Sequence, residues 1–461
     1  MSAKKPTTAT AVKASAAQKV MRPVNRFLER WIPSALTFAI VLTIIVALLA
    51  LLLTDAGPAA IVSGWGEGLG GLLEFMTQMC LILLLGHILA NTGPVRKLLT
   101  ALARVPGNAT FSYVFVFLVA AVASLITWGL GLVVGALLAR EIAVQSRQRG
   151  IKVHFPLLVA AGYSGYIVWH MGYSGSGPLI AATPGSFLTK SLGGHTVPVS
   201  ETTFSLWNML GALGVIVVCA ALFFVIAPRK GAEVKELSAR VAAESFAAAD
   251  DSIETPADRV DASRILTLIV GLALVAYLVI YFGGGGTLTL NTVNWTFLAL
   301  IFLLVKNPFE LIHLTKNAAS NVGEILLQFP LYAGILGIMG STGLIVVFSN
   351  AFVSIATPAT FGVLAFLSAG LVNFFVPSGG GQFAVQGPIM LDAANQMGVD
   401  PAVAIMAVAY GDQWTNMLQP FWALPVLAIA GLKMRDILGY TAVTCLGSGV
   451  VMAVVMLVVS R

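Results

Sequence analysis

The chain has 461 residues, 58% apolar and only 10% charged, with a mean hydropathy of +0.91. Soluble globular chains carry roughly 25% charged residues, so a water-soluble enzyme is excluded for want of polar surface, and disordered or collagen-like chains are excluded with it. The formal charge of +6 does not indicate nucleic acid: residues 1–30 and 228–264 hold 22 of the 46 charges, beside apolar runs, where basic residues set membrane orientation.

Residues 1–30 form a basic cytoplasmic tail with seven Lys and Arg against the single acid Glu29. The first apolar run, 34–54, matches the ~20 residues that span hydrocarbon and exceeds a secretory core. It is expected to remain as an uncleaved first span. Further runs lie near 72–92, 110–126, 130–145, 155–185, 204–226, 265–283, 290–305, 324–349, 358–376, 383–397, 402–431 and 437–459. Backbone groups in lipid must be satisfied within the segment, so each is expected to be helical. Arg96, Lys97 and Arg104, then Arg140, Arg147, Arg149 and Lys152, then the 228–264 loop, Lys306, Lys316, Lys433 and Arg435 all fall on one side. That side is cytoplasmic by the positive-inside rule, with the N-terminus inside and the C-terminus outside. Cys80, Cys219 and Cys445 sit in apolar runs without metal or disulfide spacing and are read as packing residues.

The 228–264 stretch is the one long polar interruption and divides the chain into membrane halves 31–227 and 265–461. The halves resemble each other. At an offset of 247, residues 160–182 superimpose Ala160 on Ala407, Tyr163 on Tyr410, Pro178 on Pro425 and Ala181 on Ala428; at nearly the same offset 124–135 falls over 370–381. The first apolar pair, 110–145, begins and ends inside, whereas its counterpart, 358–397, begins and ends outside. The reading is an all-α polytopic membrane protein built of two inverted repeats, each with a re-entrant hairpin (110–145, 358–397) and a discontinuous helix (155–185, 402–431); two full spans in place of each hairpin give the same parity, and the Pro-Ser-Gly-Gly-Gly-Gln run favours the hairpin.

Inverted repeats with broken helices are the architecture of secondary transporters, whose site lies near the midplane where the breaks meet. The first hairpin breaks at Thr127, Trp128, Gly129 and Gly131, and the second at Asn373 and Pro377 to Gln382. The discontinuous helices break at Tyr163 to Gly165, His170 and Ser174 to Gly177, and at Tyr410 to Gln419. Three consecutive glycines permit close approach of a ligand to main-chain N–H groups.

Four segments carry a family resemblance: NRFLERWIPSALTFAIVLT (25–43), WHMGYSGSGPL (169–179), NFFVPSGGGQFAVQGPIMLDAA (373–394) and AVAYGDQWTNMLQPFWALPVLAIAGLKMRDILGY (407–440). The chain resembles the bacterial short-chain fatty acid transporter family, within an ion transporter superfamily of inverted-repeat elevator carriers. The resemblance implies uptake of butyrate, acetoacetate or similar monocarboxylates at a bacterial inner membrane, as a multi-pass homodimer. The alternative is a di- or tricarboxylate or other small organic anion. The superfamily's dicarboxylate carriers have a Ser-Asn-Thr motif at each hairpin tip, and this chain lacks it.

The substrate-binding candidates are Thr127, Trp128, Gly129, His170, Ser378, Gly379, Gly380, Gly381, Gln382, Gln413, Trp414 and Asn416. The ion-coupling candidates are Ser164, Asn373, Asp412 and Thr415. An ionisable residue inside a span costs ~2.5 to 3.5 kcal/mol or more and marks an ion or proton path, which places Asp412 first. Its amide and hydroxyl neighbours suit sodium, and its carboxylate equally suits a proton; the alternative is that it caps a half-helix. His170 is either a proton relay or carboxylate contact or a core histidine bonded to a carbonyl. Trp128, Trp169, Phe374, Phe375 and Trp414 crowd the breaks, where aromatic rings wall a short acyl chain or pack helices. The midplane segments contain no Lys or Arg, so half-helix N-termini and glycine amides are expected to hold a singly charged anion. No cofactor is expected beyond a sodium ion. Protease, hydrolase and Walker signatures are missing, which argues against an enzyme, and inverted broken helices suit alternating access better than a fixed pore.

Overall fold

The computed structural model describes residues 35–228, 234–237, 253–319, 322–374 and 376–460. The basic tail at 1–30, most of the 228–264 linker and Phe375 lie outside the described residues. Within them the fold is all α.

The apolar helix α1 (Ala35–Leu53) exposes Leu48, Leu51, Leu52 and Leu53, the outward face of a lipid-facing span. Proline at its first position starts α2 (Pro58–Gly68), a short helix that falls between the expected spans. After α3 (Leu73–Asn91), the basic 93–109 connection is largely helical: α4 (Gly93–Leu102) exposes Arg96 and Lys97 and buries Leu99.

The first hairpin is α5 (Ala109–Ile126) and α6 (Trp128–Gln148). Asn108 opens it, accepting from the Phe111 N–H. A single extended residue, Thr127, ends one helix and begins the next, and it is fully buried. The first broken helix follows as α7 (Phe155–Ser164), a 3-10 segment (Gly165–Met171) and α8 (Ser176–Ala182). Winding at three residues per turn eclipses positions i and i+3. Tyr163, Tyr166 and Trp169 therefore stack in a column, the last two rings 9° from parallel with centroids 5.6 Å apart. Ser205 caps α9 (Leu206–Ile226).

In the second half the single turn α10 (Pro256–Asp261) carries a reciprocal Thr255–Asp258 cap. It leads into α11 (Arg264–Gly283), α12 (Leu290–Leu304), α13 (Pro308–Ala319), α14 (Gly323–Thr342) and α15 (Leu344–Val353). The run at 324–349, expected as one helix, is two. Gly343 adopts φ +77°, a left-handed conformation that ends α14. The second hairpin is α16 (Pro358–Asn373), opened by mutual capping of Thr357 and Thr360, and α17 (Gly379–Met397), opened by Ser378 accepting from the Gly381 N–H. The second broken helix is α18 (Pro401–Thr415) and α19 (Pro420–Ala430), and α20 (Met434–Val459) closes the described chain. Both halves thus run through the same order: hairpin, broken helix, long single helix.

Seven described helices are long and apolar enough to cross a membrane. Their apolar windows differ in burial, from 17% in α11 to 78% in α6, so α11 meets lipid while α6 lies inside the protein. The halves interleave: α18 packs on α16, α17, the 3-10 segment and α8, while α19 packs on α6 and α20 on α7 and α9. Around them, α14 packs on α1 and α2, and α12 on α3. All three cysteines are buried and free.

Candidate substrate and ion site

Both hairpin turns end inside the protein. Thr127 and Trp128, and Gly379 to Gln382, are buried. Trp169 of the 3-10 break touches both: its ring centroid is 6.2 Å from that of Trp128, and a Cβ on Gly379 would lie 2.5 Å from its ring. The Trp128 N–H, at the start of α6, donates to Ser174 Oγ at 3.1 Å and so ties the first hairpin to the first broken helix.

Two broken helices meet through His170. Its backbone N–H donates to Gln413 Oε1 at 2.9 Å, and its Nδ1 lies 2.8 Å from Asp412 Oδ2. The Gly177 N–H, in the first turn of α8, donates to His170 Nε2 at 3.0 Å. Because Nε2 accepts, the ring proton sits on Nδ1 and is donated to the Asp412 carboxylate. Both side chains are 0% exposed. From the other side the Tyr163 hydroxyl donates to the Asn416 carbonyl at 2.6 Å. The breaks are thus cross-linked by polar bonds that in hydrocarbon have no competing water.

A second network joins the hairpin to α18. Asn373 Nδ2 donates to Thr415 Oγ1 at 3.0 Å and to Asn416 Oδ1 at 2.8 Å, while the Thr415 hydroxyl donates to the Gly370 carbonyl at 2.8 Å. Gln382 Nε2 donates to the Ala369 carbonyl at 2.8 Å and to Gln386 Oε1 at 3.0 Å. Several buried polar atoms here have no partner among the described residues: Asp412 Oδ1, Asn373 Oδ1, Gln382 Oε1, Gln413 Nε2, Asn416 Nδ2 and Thr127 Oγ1. Buried polar atoms are nearly always paired, so this concentration of exceptions is a place where a ligand, an ion or ordered water can supply the partner.

The residues singled out from sequence therefore divide. His170, Asp412 and Gln413 form one bonded group, and Asn373, Thr415 and Asn416 another, contiguous with it along α18. Thr127, Trp128 and Gly129 lie at the first hairpin turn; a Cβ on Gly129 would touch the backbone of α3 at Gly86. The glycine run meets rings: Gly380 lies under Phe75 and Phe329, and Gly381 under Tyr332. Ser378 uses its hydroxyl to cap α17. Two candidates point elsewhere. Trp414 packs on Phe366 with centroids 4.8 Å apart and donates to the Cys445 carbonyl at 2.7 Å, facing α16 and α20. Ser164 bonds Thr444 of α20 at 3.1 Å.

Tyr163, Tyr166 and Trp422 are part of this centre, although sequence reading placed no function on them. Their rings join Trp128 and Trp169. The three-residue spacing of Tyr163, Tyr166 and Trp169 is the signal, legible only once that stretch is known to wind as a 3-10 helix.

Comparison with known proteins agrees with this architecture. The family described as "Short chain fatty acid transporter" matches residues 16–459. A protein of Escherichia coli (strain K12) is 41% identical over 95% of this chain and 98% of its own length, and one of Haemophilus influenzae is 37% identical over 92% and 95%. Both are named "Putative short-chain fatty acid transporter". Among solved structures, Neisseria gonorrhoeae MtrF, described as illuminating a class of antimetabolite efflux pumps, superimposes with a TM-score of 0.59 at 15% identity, covering 95% of this chain and 97% of MtrF. The Alcanivorax borkumensis YdaH transporter, described as having an unusual topology, gives 0.54 at 16% identity over 92% and 98%. At such identities these two likenesses concern the fold.

Proposed function

The chain belongs to the short-chain fatty acid transporter family, a multi-pass membrane transporter rather than an enzyme, and from that premise we propose that it takes up short-chain monocarboxylates such as butyrate or acetoacetate, driven by sodium or protons. The observation that carries this reading is the buried meeting of the two broken helices at His170, Asp412 and Gln413 with no Lys or Arg among the described buried residues. An anion held without a fixed cation is held by neutral donors, and a single carboxylate is the charge such a site tolerates.

Asp412 is the coupling acid. Its Oδ2 is occupied by His170, and its Oδ1 has no partner among the described residues. A buried carboxylate opposite a neutral imidazole leaves one negative charge, which a proton or a sodium ion neutralises. Thr415 and Asn416, about one turn further along the chain, and Asn373, which bonds both, offer the amide and hydroxyl oxygens that a hard cation prefers.

The same reading has the two halves as inverted repeats, with the hairpins and broken helices moving as one body against α1–α3 and α11–α15 in an elevator cycle. The protein is placed in the bacterial inner membrane with its N-terminus cytoplasmic, as a homodimer. The interleaved packing of α5–α8 with α16–α19 supports a single moving body.

The test is uptake of labelled butyrate into proteoliposomes with sodium and proton gradients imposed separately. Accumulation driven by one gradient and abolished by its collapse is expected. Each buried methylene contributes about 0.8 kcal/mol, about four-fold in affinity, so inhibition should tighten from acetate to about butyrate and weaken once the pocket is overfilled. Tighter competition by succinate or citrate than by butyrate would favour a polycarboxylate carrier.

A further inference from the structure

Four aromatic rings meet in a closed circuit at the centre of the site. Trp128 lies 6.2 Å from Trp169, Trp169 lies 5.6 Å from Tyr166, Tyr166 lies 6.0 Å from Trp422, and Trp422 lies 5.3 Å from Trp128. The rings come from three elements: the first turn of α6, the 3-10 break, and α19 in the other half of the chain. No helix alone builds this circuit.

Three of the rings carry a donor that nothing among the described residues accepts. Trp128 Nε1, Trp169 Nε1 and the Tyr166 hydroxyl are buried without a hydrogen-bond partner, on side chains only 2%, 2% and 1% exposed. Buried indole N–H and phenol O–H groups ordinarily find an acceptor. Three exceptions on three touching rings share one acceptor more economically than they find three. The edge of an aromatic ring, where the indole N–H sits, is also its electropositive part, so it attracts an anion, while the faces offer apolar area.

The glycine run is partly engaged within the protein. The Gly381 N–H is spent on Ser378, the Gln382 N–H on the Ser378 carbonyl, and Gly379, Gly380 and Gly381 each lie against a ring. Trp169, Phe75, Phe329 and Tyr332 thus pack against the second hairpin's tip, and two of its N–H groups are already used within it.

Resting on the monocarboxylate reading above, we infer that the substrate carboxylate is received by the indole N–H groups of Trp128 and Trp169 and the Tyr166 hydroxyl. A carboxylate has about four lone-pair sites and accepts from all three donors at once. Neutral donors hold one charge without a counter-ion.

The experiment uses the full-length protein in proteoliposomes, with the single variants Trp128→Phe, Trp169→Phe and Tyr166→Phe. Each keeps an aromatic ring and removes a donor; Tyr166→Phe removes one oxygen and disturbs packing least. Uptake of labelled butyrate gives KM and maximal rate, butyrate quenching of tryptophan fluorescence gives affinity, and thermal unfolding reports the fold. The expected result is a rise of about ten-fold or more in KM and in the fluorescence-derived Kd for each variant, with unfolding temperature close to wild type for Tyr166→Phe. Trp207→Phe, which alters a ring tilted 58° against Tyr410, should leave KM unchanged. Wild-type uptake with all three donor variants within two-fold of wild type in KM would overturn this seat alone. Wild-type vesicles that take up no monocarboxylate would overturn the transport reading, and the seat with it.

Discussion

His170 Nδ1 donates to Asp412 Oδ2 at 2.8 Å across 242 residues of sequence, while the opposite nitrogen accepts from the Gly177 N–H at 3.0 Å. The imidazole is therefore held in one tautomer between the first turn of a half-helix and the acid of the other half. Neither nitrogen is spare for a second proton without breaking one of these bonds.

Asp412→Asn follows directly. The amide keeps an oxygen to accept from Nδ1 and removes the charge, so the protein should fold and insert. Gradient-driven accumulation of butyrate should be lost. Accumulation at the wild-type rate would make Asp412 a structural residue.

His170→Ala should behave differently, because it strands a buried carboxylate. Removing one partner of a buried pair costs about 3–5 kcal/mol, so this variant should unfold well below Asp412→Asn in a thermal melt in detergent. Equal melting temperatures would mean that Asp412 finds another partner.

Gly380→Val tests the second hairpin. A Cβ there would fall 2.4 Å from the Phe75 ring and 3.3 Å from Phe329, so the tip must withdraw from α3 and α14. Transport should fall by at least ten-fold with expression retained, and Phe75→Ala in the same chain should restore part of it. The expected loss arises from seating of the hairpin rather than from direct ligand approach.

Gly135→Ala and Gly162→Ala should damage the fold itself. Each Cβ would meet the other helix's carbonyl oxygen at 2.4 or 2.5 Å, and backbone cannot step aside as a side chain does. Overpacking of this kind costs about 1–3 kcal/mol, read as a lower unfolding temperature for either variant.

Beside the central linker, His154 accepts from the Lys235 N–H at Nδ1, 3.0 Å, and faces the Tyr440 hydroxyl at 3.1 Å with Nε2. The Lys235 carbonyl accepts from the Phe155 N–H at 2.8 Å and its ammonium pairs with Asp436 at 3.2 Å, so a piece of the central linker is docked on α7 and α20. Burial first, then the Lys235 charge, push the His154 imidazole down to about 4, against an opposing pull from Asp436. The unfolded chain takes up a proton near 6.5 and the folded protein does not, so stability falls as pH drops from about 6.5 toward 4. The full effect is about 3 kcal/mol. His154→Gln keeps an acceptor and a donor without titrating, and its unfolding temperature should fall less than that of wild type between pH 7 and 4.5.

Composition and hydropathy by themselves determined that this is a polytopic helical membrane protein, because a chain with so few charges has one stable solvent. The order of spans, the hairpin turn at Thr127 and the interruptions around His170 and Asp412 were legible for the same local reason: glycine, proline and hydrogen-bonding side chains inside an apolar run must mark where a helix stops. The break of 324–349 at Gly343 was not, since a glycine in a helical run is read as tolerated until its φ is known. Only the tertiary structure decided which polar residues answer one another. It paired His170 with Asp412, turned Trp414 and Ser164 toward α20, covered the glycine run with rings, and closed Trp128, Trp169, Tyr166 and Trp422 into one circuit. Those relations depend on which helix faces lie against each other across the chain, and periodicity within a segment carries no information about the face that a distant segment presents.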